Sequence, residues 1–142
     1  GQMTLARRLE LKETADGLRV AQQFVSSSKA KTVQPTSTIK LTEGAHQNTQ
    51  LHLNDGESVS FVSDNQEHRI EIKRTDDRYL IHIERSANTE DEELNQHFSH
   101  QYSRELKING VLNVEWIVSE AGLEMLLANG LMSITQRSLE RP

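Results

Sequence analysis

The sequence predicts an all-β fold, a two-sheet antiparallel β-sandwich of the jelly-roll or lectin-like kind. Two observations lead to this prediction. Apolar and polar residues alternate along most of the chain, and turn-forming pairs separate the alternating runs at intervals of roughly ten residues. Because a side-chain period of two places one set of residues on each face of a strand, every run has one apolar face that a second sheet must cover.

The predicted strands are short runs in which single polar residues separate apolar ones. In one of the longest, Leu112, Val114 and Trp116 alternate with polar residues. The runs that show this pattern are centred on residues 9–11, 18–20, 39–41, 51–53, 59–61, 70–72, 79–83, 106–108, 112–118, 123–127 and 132–134. Since each run has one apolar face, we expect all of them to lie against a core.

Turn-forming pairs stand between the runs, at Asp16-Gly17, Asp55-Gly56, Asp76-Asp77, Asn109-Gly110 and Asn129-Gly130. Gly, Asn and Asp accept the positive φ angles that tight hairpin turns require. The stretch Ser26–Ser37 breaks the alternation, is rich in Ser and Thr and contains Pro35. We therefore predict a surface connection there.

A second polar stretch, Ala87–Ser103, contains the acidic run Glu90–Glu93. Two interpretations of residues 88–103 stay open. Apolar residues recur at intervals of four, and Thr89 with Glu92 fits a capping box, which favours one amphipathic helix. The alternative is a long loop between strands. The apolar residues in question are Leu94, Phe98, Tyr102 and Leu106.

Composition limits the classes of function. The chain has 142 residues, which predicts a single domain over residues 1–142, and its net charge is −5. A negative charge argues against a nucleic-acid partner, because phosphate-binding proteins normally carry a basic surface. The absence of cysteine excludes disulfides, thiolate catalysis and Cys-based zinc sites. No apolar run reaches the roughly 18 residues of a membrane-spanning helix, and the sequence does not indicate a compartment.

Histidines and carboxylates are the first candidates for a site. His97 and His100 have a spacing that suits a metal site on a helix, but we interpret them as part of a solvated polar segment. His52 and His82 lie on the polar faces of predicted strands and are expected to be exposed. Four glutamates also lie opposite the apolar faces of their strands, and we interpret them as solvated surface; they are Glu71, Glu84, Glu115 and Glu124.

Trp116 is the candidate for a sugar-stacking platform, because aromatic faces bind the apolar faces of sugars. It shares a strand face with Leu112, Val114 and Val118, so we interpret it as a core residue. The sequence contains no glycine-rich phosphate loop, no Gly-x-Ser-x-Gly and no His-Glu-x-x-His. No catalytic, cofactor-binding or metal-binding residue is therefore assigned, and no cofactor is expected.

The segment from Gly1 to Gln23 is similar to a recognisable stretch of one enzyme family. Its residues Met3-Thr4-Leu5, the strand ending at Leu11, the Asp16-Gly17 turn and the strand ending in Gln22-Gln23 resemble the opening of the C-terminal β-sandwich module of glycoside hydrolase family 32. That family includes levanases, inulinases, invertases and other fructan hydrolases. Further likenesses are Arg85-Ser86 after two strands, and Glu124 before the Asn129-Gly130 turn and Thr135.

The resemblance implies a module from the C-terminal side of a longer, bacterial-type glycosidase. In that family the catalytic residues lie in an N-terminal five-bladed propeller, in Asn-Asp-Pro, Arg-Asp-Pro and Glu-Cys motifs. This chain has no Asp-Pro pair and no cysteine. The resemblance therefore implies that the chain itself is not an enzyme, and that its partner is the propeller of the same polypeptide. Two alternatives stay open, an auxiliary fructan-binding module and a homo-oligomerisation module formed through edge strands.

Overall fold

The computed structural model describes residues 7–24, 31–33, 37–108 and 110–139, with the backbone alone for 31–33. Its strands are β1 (Arg7–Thr14), β2 (Gly17–Phe24), β3 (Lys31–Val33), β4 (Thr38–Leu41), β5 (Gln47–Leu51), β6 (Ser58–Ser63), β7 (His68–Thr75), β8 (Arg78–Arg85), β9 (His100–Leu106), β10 (Leu112–Ser119), β11 (Gly122–Leu127) and β12 (Met132–Arg137). A single helix of the described chain, α1 (Glu92–Phe98), lies between β8 and β9.

Ten of these strands form two sheets that pack against each other. Sheet I has the order β12-β11-β10-β5-β3, and sheet II has the order β4-β6-β7-β8-β9. Most ladders are antiparallel, which confirms the predicted all-β sandwich. Two pairs, β3 with β5 and β4 with β6, are parallel. These two parallel pairs arise because the consecutive strands β3 and β4 enter different sheets instead of forming a hairpin.

The core lies between the two sheets and is built from the apolar faces that the alternation predicts. Sheet II contributes Phe61 and Ile72, and sheet I contributes Met125 and Trp116. The Trp116 side chain is only 6% exposed, and its ring meets Phe61 edge-on, with centroids 5.3 Å apart. Trp116 is thus a core residue, as predicted, and does not present a ring face to solvent.

Strands β1 and β2 form a separate two-stranded ribbon outside both sheets, which we call the hairpin. Part of the hairpin contradicts the expectation that every alternating run is buried. Leu9, Leu11, Leu18 and Val20 are 66%, 65%, 62% and 55% exposed. Alternation identified the strands correctly, but it could not reveal that no described segment covers this face.

The polar stretch after β8 is neither a long helix nor a long loop. Helix α1 spans only Glu92–Phe98 and is followed at once by β9, so Tyr102 and Leu106 belong to a strand. The predicted capping box at Thr89 is also wrong. Asp91 is the N-cap, because its carboxylate accepts a hydrogen bond from the Leu94 amide, and Thr89 instead donates its hydroxyl to Asn95 Oδ1 at 2.7 Å.

The predicted turns take the expected backbone conformations where they are described. Asn129 and Gly130 have φ angles of 54° and 89°, and Gly56 has 84°; Asn109 lies outside the described residues. Within the predicted surface connection Ser26–Ser37, residues 31–33 form the edge strand β3 instead. Residues 26–30 and 34–36 lie outside the described part of the chain.

Candidate functional site

A cluster of polar side chains lies where the hairpin meets the outer face of sheet I. We call it the hairpin seat; it comprises Arg7, Gln22 and Phe24 of the hairpin with Glu124, Ser133 and Thr135 of sheet I. Strand alternation places Glu124, Ser133 and Thr135 on the outer face, since Leu123, Met125 and Ile134 point into the core. The hairpin then covers this part of the sheet.

Arg7 is the centre of the seat. Its guanidinium donates to Glu124 Oε1 at 2.8 Å, to Gln22 Oε1 at 2.7 Å and to Ser133 Oγ at 2.7 Å. Both partners of the ion pair are sheltered, with side chains 12% and 14% exposed. The prediction that Glu124 is a solvated surface carboxylate is therefore wrong, because the hairpin covers it and supplies the opposite charge.

A second pair of sheltered side chains, His46 and Glu115, lies next to the hairpin seat. The Phe24 ring meets the His46 ring edge-on at 5.4 Å, and His46 Nε2 lies 3.9 Å from Glu115 Oε1. Burial raises the pKa of the Glu115 carboxyl and lowers the pKa of His46. Glu115 is thus not the solvated surface residue that the sequence predicted.

Glu115 and Glu124 are a pair of acids on the outer face of sheet I. In the β10–β11 ladder Glu115 lies opposite Leu126 and Glu124 opposite Ile117, so the two are diagonal neighbours, at roughly 7–8 Å between backbones. Acid–base catalysis by such a pair requires substrate access and one free carboxylate. Glu124 is bound by Arg7, and the hairpin lies over this region.

Glu71 and Glu84, the other two glutamates singled out, lie on the outer face of sheet II. This face carries charges of both signs, and a shallow depression in it is lined by residues including Glu71, Lys73 and His82. His82 contacts Ser103 Oγ through Nδ1 at 3.0 Å. The two glutamates are partly exposed, which fits their interpretation as surface residues. His52, also predicted to be exposed, is exposed but lies just beyond the end of β5.

His97 and His100 are not presented by one helix. His97 lies on α1, where its Nε2 is 3.8 Å from Glu93, and His100 begins β9. The described residues contain no group of three or more His, Asp or Glu side chains arranged to hold a metal ion. Nor does any helix among them have the length and apolar character needed to cross a membrane.

One buried polar link between the sheets was not predicted from the sequence. His68 of β7 is 2% exposed, and its Nδ1 lies 2.8 Å from Gln136 Oε1 of β12. Its Nε2 lies 3.1 Å from Ser138 Oγ. Burial lowers the pKa of His68, opposed by the Gln136 hydrogen bond. A signal was present, because His68 is in register with Ile70 and Ile72, which places it on the core face.

Comparison with protein-family models, with curated proteins and with solved structures returned no match for this chain. The fold and the seat therefore define an all-β sandwich protein with an attached hairpin.

Proposed function

We propose that this chain is a non-catalytic β-sandwich module of a retaining β-fructosidase of the levanase, inulinase or invertase type. Its role is to pack on and stabilise the catalytic propeller of the same polypeptide. The assignment to glycoside hydrolase family 32 rests on the sequence resemblance. The non-catalytic role rests on the hairpin seat.

The main support for the non-catalytic role is that Glu115 and Glu124 are sheltered and contact other charged or ionisable side chains. A retaining glycosidase needs a nucleophile and an acid/base about 5–5.5 Å apart, both open to substrate. Here Glu124 is held by Arg7 at 2.8 Å, and Glu115 lies beside His46. Glu124 is thus occupied in attaching the hairpin, and Glu115 is sheltered beside His46.

The aromatic residues argue against the alternative of a fructan-binding module. Sugar-binding faces normally present several aromatic rings to solvent, whereas Trp116, Phe61, Tyr79 and Phe24 are buried. Tyr102 is more accessible, but its ring is stacked with His100 at 5.7 Å and also contacts the Arg104 guanidinium. The Phe98 ring, which is partly exposed, has the Arg85 guanidinium over it, 4.3 Å from the ring centroid.

The first test is hydrolysis by the purified chain. We expect no release of reducing sugar from sucrose, inulin or levan above a buffer control, with a commercial invertase as the positive control. Release that disappears in Glu115→Gln or Glu124→Gln would overturn the non-catalytic role. The longer polypeptide that carries the module should hydrolyse β-fructosides, and its inactivity on all three substrates would overturn the proposed parentage.

A second test separates the module from a fructan-binding domain. The chain is titrated with inulin and levan oligosaccharides while amide chemical shifts are recorded. We expect no shift changes at millimolar ligand. Saturable changes clustered on one sheet face would favour the binding alternative.

A further inference from the structure

The exposed apolar residues of the described chain are concentrated on one face of the hairpin. Among the described residues six large apolar side chains are exposed, and four of them are Leu9, Leu11, Leu18 and Val20. In the β1–β2 ladder Leu11 lies opposite Val20, Leu9 opposite Gln22, and Leu18 opposite Glu13. Since directly opposed residues share a face, these four side chains form one apolar surface, which we call the hairpin face.

The other face of the same ribbon is charged. Arg8, Glu10, Lys12 and Arg19 alternate with the apolar residues and lie on that side, together with Ala21, which is buried near the base of the ribbon. A two-stranded ribbon alone is marginally stable in water, and an exposed contiguous apolar patch marks an interaction site. The one-sided pattern indicates a ribbon that is completed by a second apolar layer.

The hairpin face continues an interface that already exists within the chain. Arg7 and Phe24 are opposed in the ladder, two residues from the pair Leu9 and Gln22. The hairpin seat and the hairpin face therefore belong to one side of the ribbon. At the base that side is covered by sheet I, and towards the Asp16-Gly17 turn it is open.

We propose that the hairpin face packs against an apolar sheet surface of the catalytic domain in the same polypeptide. This inference rests on the proposed function and names the surface by which the module docks. The partner's chemistry follows from the pattern. An extended ribbon with alternating Leu and Val fits a layer of aliphatic strand residues, which packs face to face at the usual spacing of sheets.

The size of the hairpin face selects a tethered domain over a second copy of the chain. Burying one fully exposed aliphatic side chain contributes about 3 kcal/mol, and at ~25 cal/mol per Å² of buried apolar area this corresponds to a side-chain area of ~120 Å². At their observed exposures the four side chains together present roughly 300 Å². A stable dimer buries ~800 Å² per partner, whereas an interface between linked domains totals about 600–1,500 Å². Covalent linkage lets the smaller area suffice, because it raises the effective concentration.

The test uses a pair of variants in both the isolated chain and the longer polypeptide. Leu11→Ser with Val20→Ser removes the centre of the hairpin face. Glu10→Ser with Arg19→Ser is the matched control, because it alters exposed residues of the same two strands on the charged face. The readouts are amide hydrogen exchange of β1 and β2, thermal unfolding, and sedimentation velocity.

We expect the isolated chain to be a monomer. The unfolding temperatures of both variants should lie within a few degrees of that of the unaltered chain, because the altered side chains are exposed. In the longer polypeptide the β1 and β2 amides should exchange at least roughly 10-fold more slowly than in the isolated chain. The Leu11→Ser, Val20→Ser variant should lose this protection, and the control should keep it.

Three outcomes would overturn the inference. They are a concentration-dependent dimer of the isolated chain that the apolar variant abolishes, equal exchange in both contexts, and equal effects of the two variants. A failure of the proposed function looks different. A longer polypeptide that is inactive on β-fructosides but still protects the hairpin contradicts the parentage and leaves the docking surface in place.

Discussion

Replacing Gly130 with alanine should loosen the hairpin without touching the core. Gly130 lies in the β11–β12 turn, where its carbonyl accepts a hydrogen bond from the Gln22 amide at 2.9 Å. A Cβ at this position would stand 1.7 Å from the Gln22 carbonyl oxygen. Because the obstacle is backbone, no side-chain rotation relieves it, and β2 must move away from the turn.

Gly56 supplies a matched control. Its φ of +84° is close to the +89° of Gly130, but nothing lies within 4 Å of its added Cβ. Gly56→Ala should therefore cost only the strain of a left-handed alanine, about 1–2 kcal/mol of unfolding free energy. Gly130→Ala should cost this strain, about 1 kcal/mol for the lost hydrogen bond, and about 2 kcal/mol for exposing part of Phe24. The expected total is about 4–5 kcal/mol.

The assay is urea unfolding followed by the fluorescence of Trp116, the single tryptophan of the chain, with amide exchange measured in parallel. The Gln22 amide should exchange faster in Gly130→Ala than in Gly56→Ala. Equal loss of stability in the two variants, or an unchanged Gln22 amide, would refute the view that the hairpin is held at this turn.

Two further predictions concern the core and its polar link. Burial lowers the pKa of His68 below its ordinary 6.5, so the unfolded chain takes up the proton first as the pH falls, and the free energy of unfolding should decrease below about pH 6.5. His68→Gln should reduce this slope in urea unfolding at stepped pH. His46, whose pKa burial also lowers, adds to the slope in the same direction. An unchanged slope would contradict the assignment. Trp116→Ala should lower the unfolding free energy by about 3–5 kcal/mol, measured by circular dichroism, and a loss below ~1 kcal/mol would be inconsistent with its packing on Phe61.

The fold class was predictable because its main signal is local. A period of two is visible within five residues, and the runs around Ile70 and Val114 became core strands as expected. His68 and Gln136 carried the same signal, since each continues the core-facing register of its strand. The link between them was not predictable, because a polar residue on the core face needs a polar partner and the partner of His68 lies 68 positions away in the sequence.

The environment of the two glutamates was not predictable for a related reason. Alternation assigns Glu115 and Glu124 correctly to the outer face of sheet I, but an outer face is solvated only if nothing else covers it. The residue that covers and neutralises Glu124 is Arg7, 117 positions earlier in the chain. Local pattern carries no information about contacts of that separation, so the hairpin seat is visible only in the three-dimensional structure.

The division of the hairpin into a polar base and an apolar outer part has a physical consequence for the proposed docking. Hydrogen bonds are directional, so the contacts from Arg7 to Glu124 and Ser133 and from the Gln22 amide to the Gly130 carbonyl fix the angle at which the ribbon leaves sheet I. Apolar contact is not directional and permits sliding. A seat made only of leucines would leave that angle free. The sheltered ion pair has a desolvation cost that lowers stability, but it fixes the orientation of the ribbon. The hairpin face is thus presented in one orientation before any partner binds, which reduces the ordering entropy that docking must overcome.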